Sequence, residues 1–346
     1  MSENSTQVSS SNSTSFINVP VDVAYVHYVT YTYVYPPLIS LGIMVNVLCL
    51  LVIVNPKKGL KKYISMYVQA IAMVDLASSI FSIPAILGQG CLFNSYSFAV
   101  YYAYIGWNVV STLRVISLYL TVWISFDRVL AIWYNAKFYR AQQNKRIIPK
   151  LVFAFVFPIL YFIPMMCSGN VTAYPEGWYS QPGYSFSLNK TWYKVYKSLL
   201  VVLAQAIPGS FLVGLSVAIA VGLLKRKIEF EKTKQNRKFY LSITVLLINI
   251  SYVVCTLPYS ILAIFFINKR EGRCYSEAHI EAWLSVGISI FMLWHAFNTS
   301  IIFVFNKDYQ KELMFRIQSL KCCYSKGKPD NEAEDLDSEH SYIEME

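Results

Sequence analysis

Charged residues are nearly absent from seven stretches of this chain, at about 34–55, 64–88, 100–134, 147–167, 197–224, 239–267 and 281–305, and polar connectors separate them. Each stretch reaches the roughly 20 residues that a helix needs to cross a hydrocarbon core of roughly 30 Å. None shows the short alternating segments of barrel strands, so the pattern predicts helices. The expected fold is an all-α membrane protein, a seven-transmembrane helix bundle over 34–306. Residues 1–33 are rich in Ser, Asn and Thr and hold no Lys or Arg. They lack the basic start of a cleaved signal peptide and read as a disordered extracellular tail. Residues 307–321 interleave Tyr309, Leu313, Phe315 and Ile317 with Lys311 and Arg316, the pattern of a short amphipathic eighth helix lying on the membrane surface. Residues 322–346 form an acidic cytoplasmic tail without apolar runs, predicted to be disordered. Ser338 and Ser341 in it are candidate phosphorylation sites.

Composition agrees with this reading. Of 346 residues, 55% are hydrophobic and 14% charged, against roughly 25% charged in a soluble domain. The net charge of +10 would suit nucleic acid if it were clustered, but the cations lie in short connectors beside the membrane lipid. Lys57, Lys58, Lys61 and Lys62 follow the first stretch, Lys137, Arg140, Lys145 and Arg146 follow the third, and a dense group from Lys225 to Lys238 follows the fifth. Connectors rich in Lys and Arg stay in the cytoplasm, so the N-terminus is expected outside, the C-terminus inside and the protein in the plasma membrane, with no nucleic-acid partner. The sequons at Asn4, Asn12, Asn170 and Asn189 fall on the predicted outer side and are candidate N-glycosylation sites. No CxxC pair is present and the four histidines are scattered, so no metal site is expected. Cys322 and Cys323, just past the amphipathic helix, are candidates for palmitoylation beside the plainer reading of two free thiols.

An ionisable side chain at bilayer depth costs about 2.5–3.5 kcal/mol on insertion scales, so it faces the bundle interior and finds a partner. Here such groups are Asp75 in the second stretch, Arg114, Asp127 and Arg128 in the third, and His295 in the seventh, with Asn46, Ser117 and Asn298 as polar neighbours. Arg114 and Arg128 lie on roughly one face of the third helix, about 21 Å apart along its axis.

These residues resemble the markers of one family. Gly42-Ile-Met-Val-Asn46, Ala72-Met-Val-Asp75, Ser125-Phe-Asp127-Arg128-Val129, Pro208 in mid-helix, Cys255-Thr-Leu-Pro258-Tyr259, Asn298-Thr-Ser-Ile-Ile302 and Asn306-Lys-Asp-Tyr309 stand in order on the helices. The rhodopsin-like (class A) G-protein-coupled receptors carry their motifs in the same places, and the likeness covers about 34–321. It implies a receptor in which an extracellular ligand shifts the population toward a state whose inner ends admit a heterotrimeric G protein, with arrestin as a further partner. By that likeness Arg128 meets the G protein and Asp127 restrains it at rest. Asp75, Asn46, Ser117 and Asn298 match a polar core that holds a structural sodium ion, beside which His295 stands. Pro208 and Pro258 permit helix bends, and Trp107, Arg114, Gln205 and Tyr259 are ligand-pocket candidates.

The departures from the family pattern are specific. Thr256 replaces its Trp, Thr299 its Pro and Ile302 its Tyr, and Ser216 stands where many members have Tyr. The family's disulfide from the third helix to the second outer loop has no counterpart, because Ala103 holds the helix position and 168–194 contain no Cys. Cys91, Cys167 and Cys274 remain as outer-side thiols for another bridge. For Arg114 three readings stand: a pair with Asp75 in place of sodium, a contact to an anionic ligand group such as a peptide carboxylate, or satisfaction by backbone carbonyls and water. The outer-loop lysines and aromatics favour a peptide, such as a neuropeptide, over an odorant. No Lys in 281–305 means no retinal Schiff base. The chain lacks His-Glu-x-x-His and a second mid-membrane Asp, so it is not expected to be an enzyme. The rival function is a multi-pass transporter or channel using Asp75, Arg114 and His295.

Overall fold

The computed structural model describes residues 25–26, 28–53, 62–89, 95–134, 144–174, 177–181, 190–232, 236–269 and 277–305, with isolated positions beyond. Helix α1 enters through a π turn at Thr30–Val34 and continues as Tyr35–Ile53. Helix α2 spans Lys62–Gln89. Helix α3 runs from Tyr96–Val100 through a π turn at Tyr101–Ile105 into Gly106–Trp133. Helix α4 is Asn144–Cys167, α5 joins Lys190–Val201 and Ile207–Lys232 through a π turn at Val202–Ala206, α6 is Asn236–Lys269 and α7 is Glu277–Phe305. Helices α1 to α6 are each long and apolar enough to cross a membrane, and α7 completes a multi-pass bundle.

Several helices outrun the apolar stretches that announce them, since a helix continues past the hydrocarbon core into polar surroundings without breaking its ladder. Local chemistry sets other boundaries. Ser95, in extended backbone, caps α3 by accepting from the Phe98 amide. Two of the three π turns lie just ahead of prolines: Pro36 and Pro37 follow the first and Pro208 the third. A proline offers no N–H to the carbonyl one turn back, and a widened turn absorbs the misfit. Pro208 is therefore a site of local distortion, whereas α6 runs as one continuous helix through Pro258.

The helices pack in a closed ring: α1 against α2, α2 against α3, α3 against α5, α5 against α6, α6 against α7, and α7 back against α1, with α4 outside on α3. Helix α3 is the central strut. Its most apolar stretch is 67% buried, against 22% for α4, and its residues Val115, Ile116, Leu120, Ile124 and Ile132 run through the main hydrophobic cluster.

A hairpin absent from the sequence reading follows α4. Strands β1, Asn170–Tyr174, and β2, Gly177–Gln181, pair antiparallel with Asn170 opposite Gln181 and Tyr174 opposite Gly177. Asn170 opens it. The hairpin packs against the first turns of α3. At its base a Cβ on Gly169 would sit 2.7 Å from the Ala103 carbonyl oxygen and 3.0 Å from its carbon. Ala103 is the position where the family's bridge would start, so close backbone packing stands where a covalent link is missing. Cys167 is a free thiol. Gly169→Ala is expected to destabilise the purified protein by about 1–3 kcal/mol, the usual result of overpacking against backbone. Thermal unfolding checks this, and an unchanged melting temperature would show that the hairpin is not held there.

The N-terminal tail up to residue 24, Asn4, Asn12, Asn189, Cys91, Cys274, nearly all of 307–321, Cys322, Cys323 and the acidic tail lie outside the described residues.

Candidate functional site

Three polar layers lie along α3. In the middle layer Asp75 from α2 and His295 from α7 meet across the bundle, His295 Nδ1 standing 2.9 Å from Asp75 Oδ1. Asp75 has no exposed surface and His295 almost none. This departs from the pairing of Asp75 with Arg114 weighed from the sequence: among the described residues Asp75 pairs with His295. The reason is placement, since His295 projects from the facing helix directly onto the carboxylate. Its ring is fixed by neighbours, with Phe291 at 4.8 Å and Trp294 at 4.6 Å, both edge to face. Trp294 in turn meets Tyr252 of α6 edge to face at 5.1 Å and donates to the Ile248 carbonyl at 3.4 Å.

One turn toward the other end of α7, Thr299 Oγ1 donates to Asn46 Oδ1 at 2.5 Å, and Asn46 Nδ2 donates to the Gly42 carbonyl at 2.8 Å. The residue that replaces the family's Pro thus makes a buried tie to α1 that a proline could not. Ser117 and Asn298 are buried in the same region. Among the described residues Ser117 Oγ, Asn298 Nδ2, Asp75 Oδ2 and His295 Nε2 have no hydrogen-bond partner.

The second layer surrounds Arg114, which is buried and placed between two aromatic faces, Trp107 at 5.7 Å and Phe291 at 5.4 Å from the guanidinium carbon. Tyr259 stacks on Phe291 at 5.7 Å, so Trp107, Arg114 and Tyr259 share one aromatic cluster whose centre, Phe291, the sequence reading passed over. A Phe among many apolar residues carries no signal of its own. Tyr35 closes the cluster toward α1 by donating to the Ser285 carbonyl at 3.2 Å. Among the described residues no ion pair or hydrogen bond involves Arg114, and its Nε is unpartnered. Gln205 lies apart on the π turn of α5, its Oε1 also unpartnered.

Beside Arg114 and His295 a cavity of about 20 Å³ opens between α1, α2, α3 and α7, lined also by Leu38, Ser78, Ser82 and Met292. About 10–15 Å³ admits one water-sized particle, so the cavity suits a small polar species and not a whole ligand.

The third layer closes the far end of α3. Asp127 Oδ1 accepts from Lys150 Nζ of α4 at 2.5 Å, and that ammonium also lies over Trp123 at 5.4 Å and Phe126 at 5.8 Å. Lys150 was missed in the sequence because it lies three residues inside the fourth apolar stretch and looks like a boundary cation. Arg128 is buried next to Asp127, and Tyr67 of α2 lies beside both. Nearby, Ser125 donates to Asn249 Oδ1 at 2.9 Å, tying α3 to α6.

A family model described as the seven transmembrane receptor (rhodopsin family) matches residues 45–301, which include Asp75, Arg114, Asp127, Arg128 and His295. A probable G-protein coupled receptor of Caenorhabditis elegans, B0563.6, is 24% identical over 244 residues, covering 66% of this chain and 54% of that protein. The chain therefore spans about half the length of the curated relative it matches.

Proposed function

Because this chain belongs to the rhodopsin family of seven-transmembrane receptors, we propose that it sits in the plasma membrane with its N-terminus outside, binds an extracellular ligand carrying an anionic group, and activates a heterotrimeric G protein. The observation that carries the ligand class is Arg114. A guanidinium buried at bilayer depth without a carboxylate partner is expensive, and here it is held between aromatic faces in the half of α3 remote from Arg128. Such an arrangement suits a ligand carboxylate that completes the pair on binding, and a peptide terminus or acidic side chain supplies one. The basic connectors and the four sequons outside the apolar stretches support the orientation, and glycans at Asn4, Asn12, Asn170 and Asn189 go with it.

At the inner end, Arg128 is the residue that meets the G protein. Arrestin, palmitate at Cys322 and Cys323, and lipid contacts along 307–321 belong to the same reading. Binding energy reaches Arg128 as a shift between two bundle arrangements and needs no contact between the sites.

The test is G-protein dissociation in cells expressing the full-length chain, challenged with peptide and small-metabolite libraries beside Arg128→Ala. A response from an acidic or carboxylate-bearing ligand that disappears in Arg128→Ala and loses potency in Arg114→Gln is expected. A response unchanged in Arg114→Gln receptors at normal surface levels would remove the carboxylate reading.

A further inference from the structure

The family resemblance implies a sodium ion beside Asp75, and the residues around Asp75 do not fit one. A monovalent cation needs several oxygen acceptors facing a common space. The carboxylate oxygen Oδ1 is taken by a ring nitrogen at 2.9 Å. The cavity next to this pair is lined by Arg114 and His295, while Asp75, Ser117 and Asn298 do not line it. That space presents one fixed positive charge, an imidazole and serine side chains. Asp75 Oδ2 and Ser117 Oγ, unpartnered among the described residues, belong to side chains that do not line this space. A space that a guanidinium lines and the carboxylate does not makes a poor cation site. Thr299 and Asn46, one turn away, are bonded to each other and, through Asn46 Nδ2, to the Gly42 carbonyl.

We infer that His295 replaces the sodium ion in this receptor: its ring N–H hydrogen-bonds the Asp75 carboxylate from within the protein, so the bundle is built without the ion and does not respond to it. The carboxylate at the centre of the membrane still has its donor. That donor is covalently part of α7, so the link between α2 and α7 no longer depends on a soluble cation.

Full-length receptor purified in detergent tests this without knowledge of the ligand. Thermal unfolding is compared in sodium chloride and in N-methyl-D-glucamine chloride of equal ionic strength, for the wild type, Asp75→Asn and His295→Ser. Sodium-23 relaxation is measured on the same samples. The wild type is expected to melt at one temperature in both salts and to leave sodium relaxation unchanged. His295→Ser, which vacates the ring and leaves a hydroxyl, is expected to gain a sodium-dependent rise in melting temperature, or to stay folded in sodium alone. A sodium-dependent rise or sodium-23 broadening in the wild type that vanishes in Asp75→Asn would overturn the inference. So would a folded His295→Ser protein as indifferent to sodium as the wild type, because the imidazole would then not be what excludes the ion.

Discussion

His295→Ala is expected to destabilise the receptor by about 3–5 kcal/mol, the loss typical when one partner of a buried charged contact is removed. The size follows from what is left behind. Asp75 has no solvent-accessible surface and its Oδ2 already lacks a partner, so without His295 both carboxylate oxygens would stand unpaired in a medium that solvates charge poorly. Removal of the ring also opens a gap against Phe291 and Trp294, which adds a cavity contribution. Asp75→Asn is expected to be milder, since an amide oxygen still accepts from the imidazole N–H and no charge is stranded. The decisive comparison is the double variant. With the carboxylate gone, losing His295 strands nothing ionised, so His295→Ala/Asp75→Asn is expected to fall short of the summed single losses by about 1–3 kcal/mol. Thermal or denaturant unfolding of the four proteins gives this coupling. Strictly additive losses would mean that the 2.9 Å contact carries no energy and that His295 acts by volume alone.

How much of this was legible in the chain differs by layer. The membrane class and the helix positions follow from charge-free runs, because lipid forbids unpaired backbone and leaves helices as the economical solution. The partners within the bundle do not follow, since they depend on which faces of helices distant in sequence turn toward each other. Asp75 is 220 positions from His295, and Asn46 is 253 from Thr299. Reading Asp75, Arg114 and His295 as one polar set was within reach of the sequence. Choosing which N–H donor takes the carboxylate was not, because Arg114 and His295 can both donate to it until the rotation of α7 is fixed. Thr299 looked like a lost proline and turned out to be a hydrogen-bond donor to Asn46. The hairpin after α4 left only a short trace in a polar loop, and its anchoring through Gly169 depends on the backbone of Ala103, which no local pattern encodes.

Lys150 bears the second large prediction. Asp127 is nearly buried and Lys150 is only slightly exposed, so Lys150→Met is expected to destabilise the protein by a few kcal/mol, roughly 2–4, discounted from the fully buried case because water reaches the ammonium. Its effect on signalling has a definite sign. On the proposed reading Asp127 restrains Arg128 in the resting bundle. At present Lys150 occupies Oδ1 of that carboxylate and competes with Arg128 for its charge. Without the ammonium, the carboxylate is left to its sequence neighbour, the restraint tightens and the active arrangement becomes rarer. A change of about 1 kcal/mol in that balance is a roughly five-fold fall in ligand-independent G-protein turnover, since coupling energies of 1–3 kcal/mol correspond to roughly 5–150-fold. Asp127→Asn is expected to act in the opposite direction by loosening Arg128. Nucleotide exchange on G protein reconstituted with each purified variant, normalised to folded receptor, measures both. A rise in basal exchange with Lys150→Met would mean that the Lys150–Asp127 bridge, which joins α3 to α4, is itself the resting lock, and would move the restraint from Arg128 to α4.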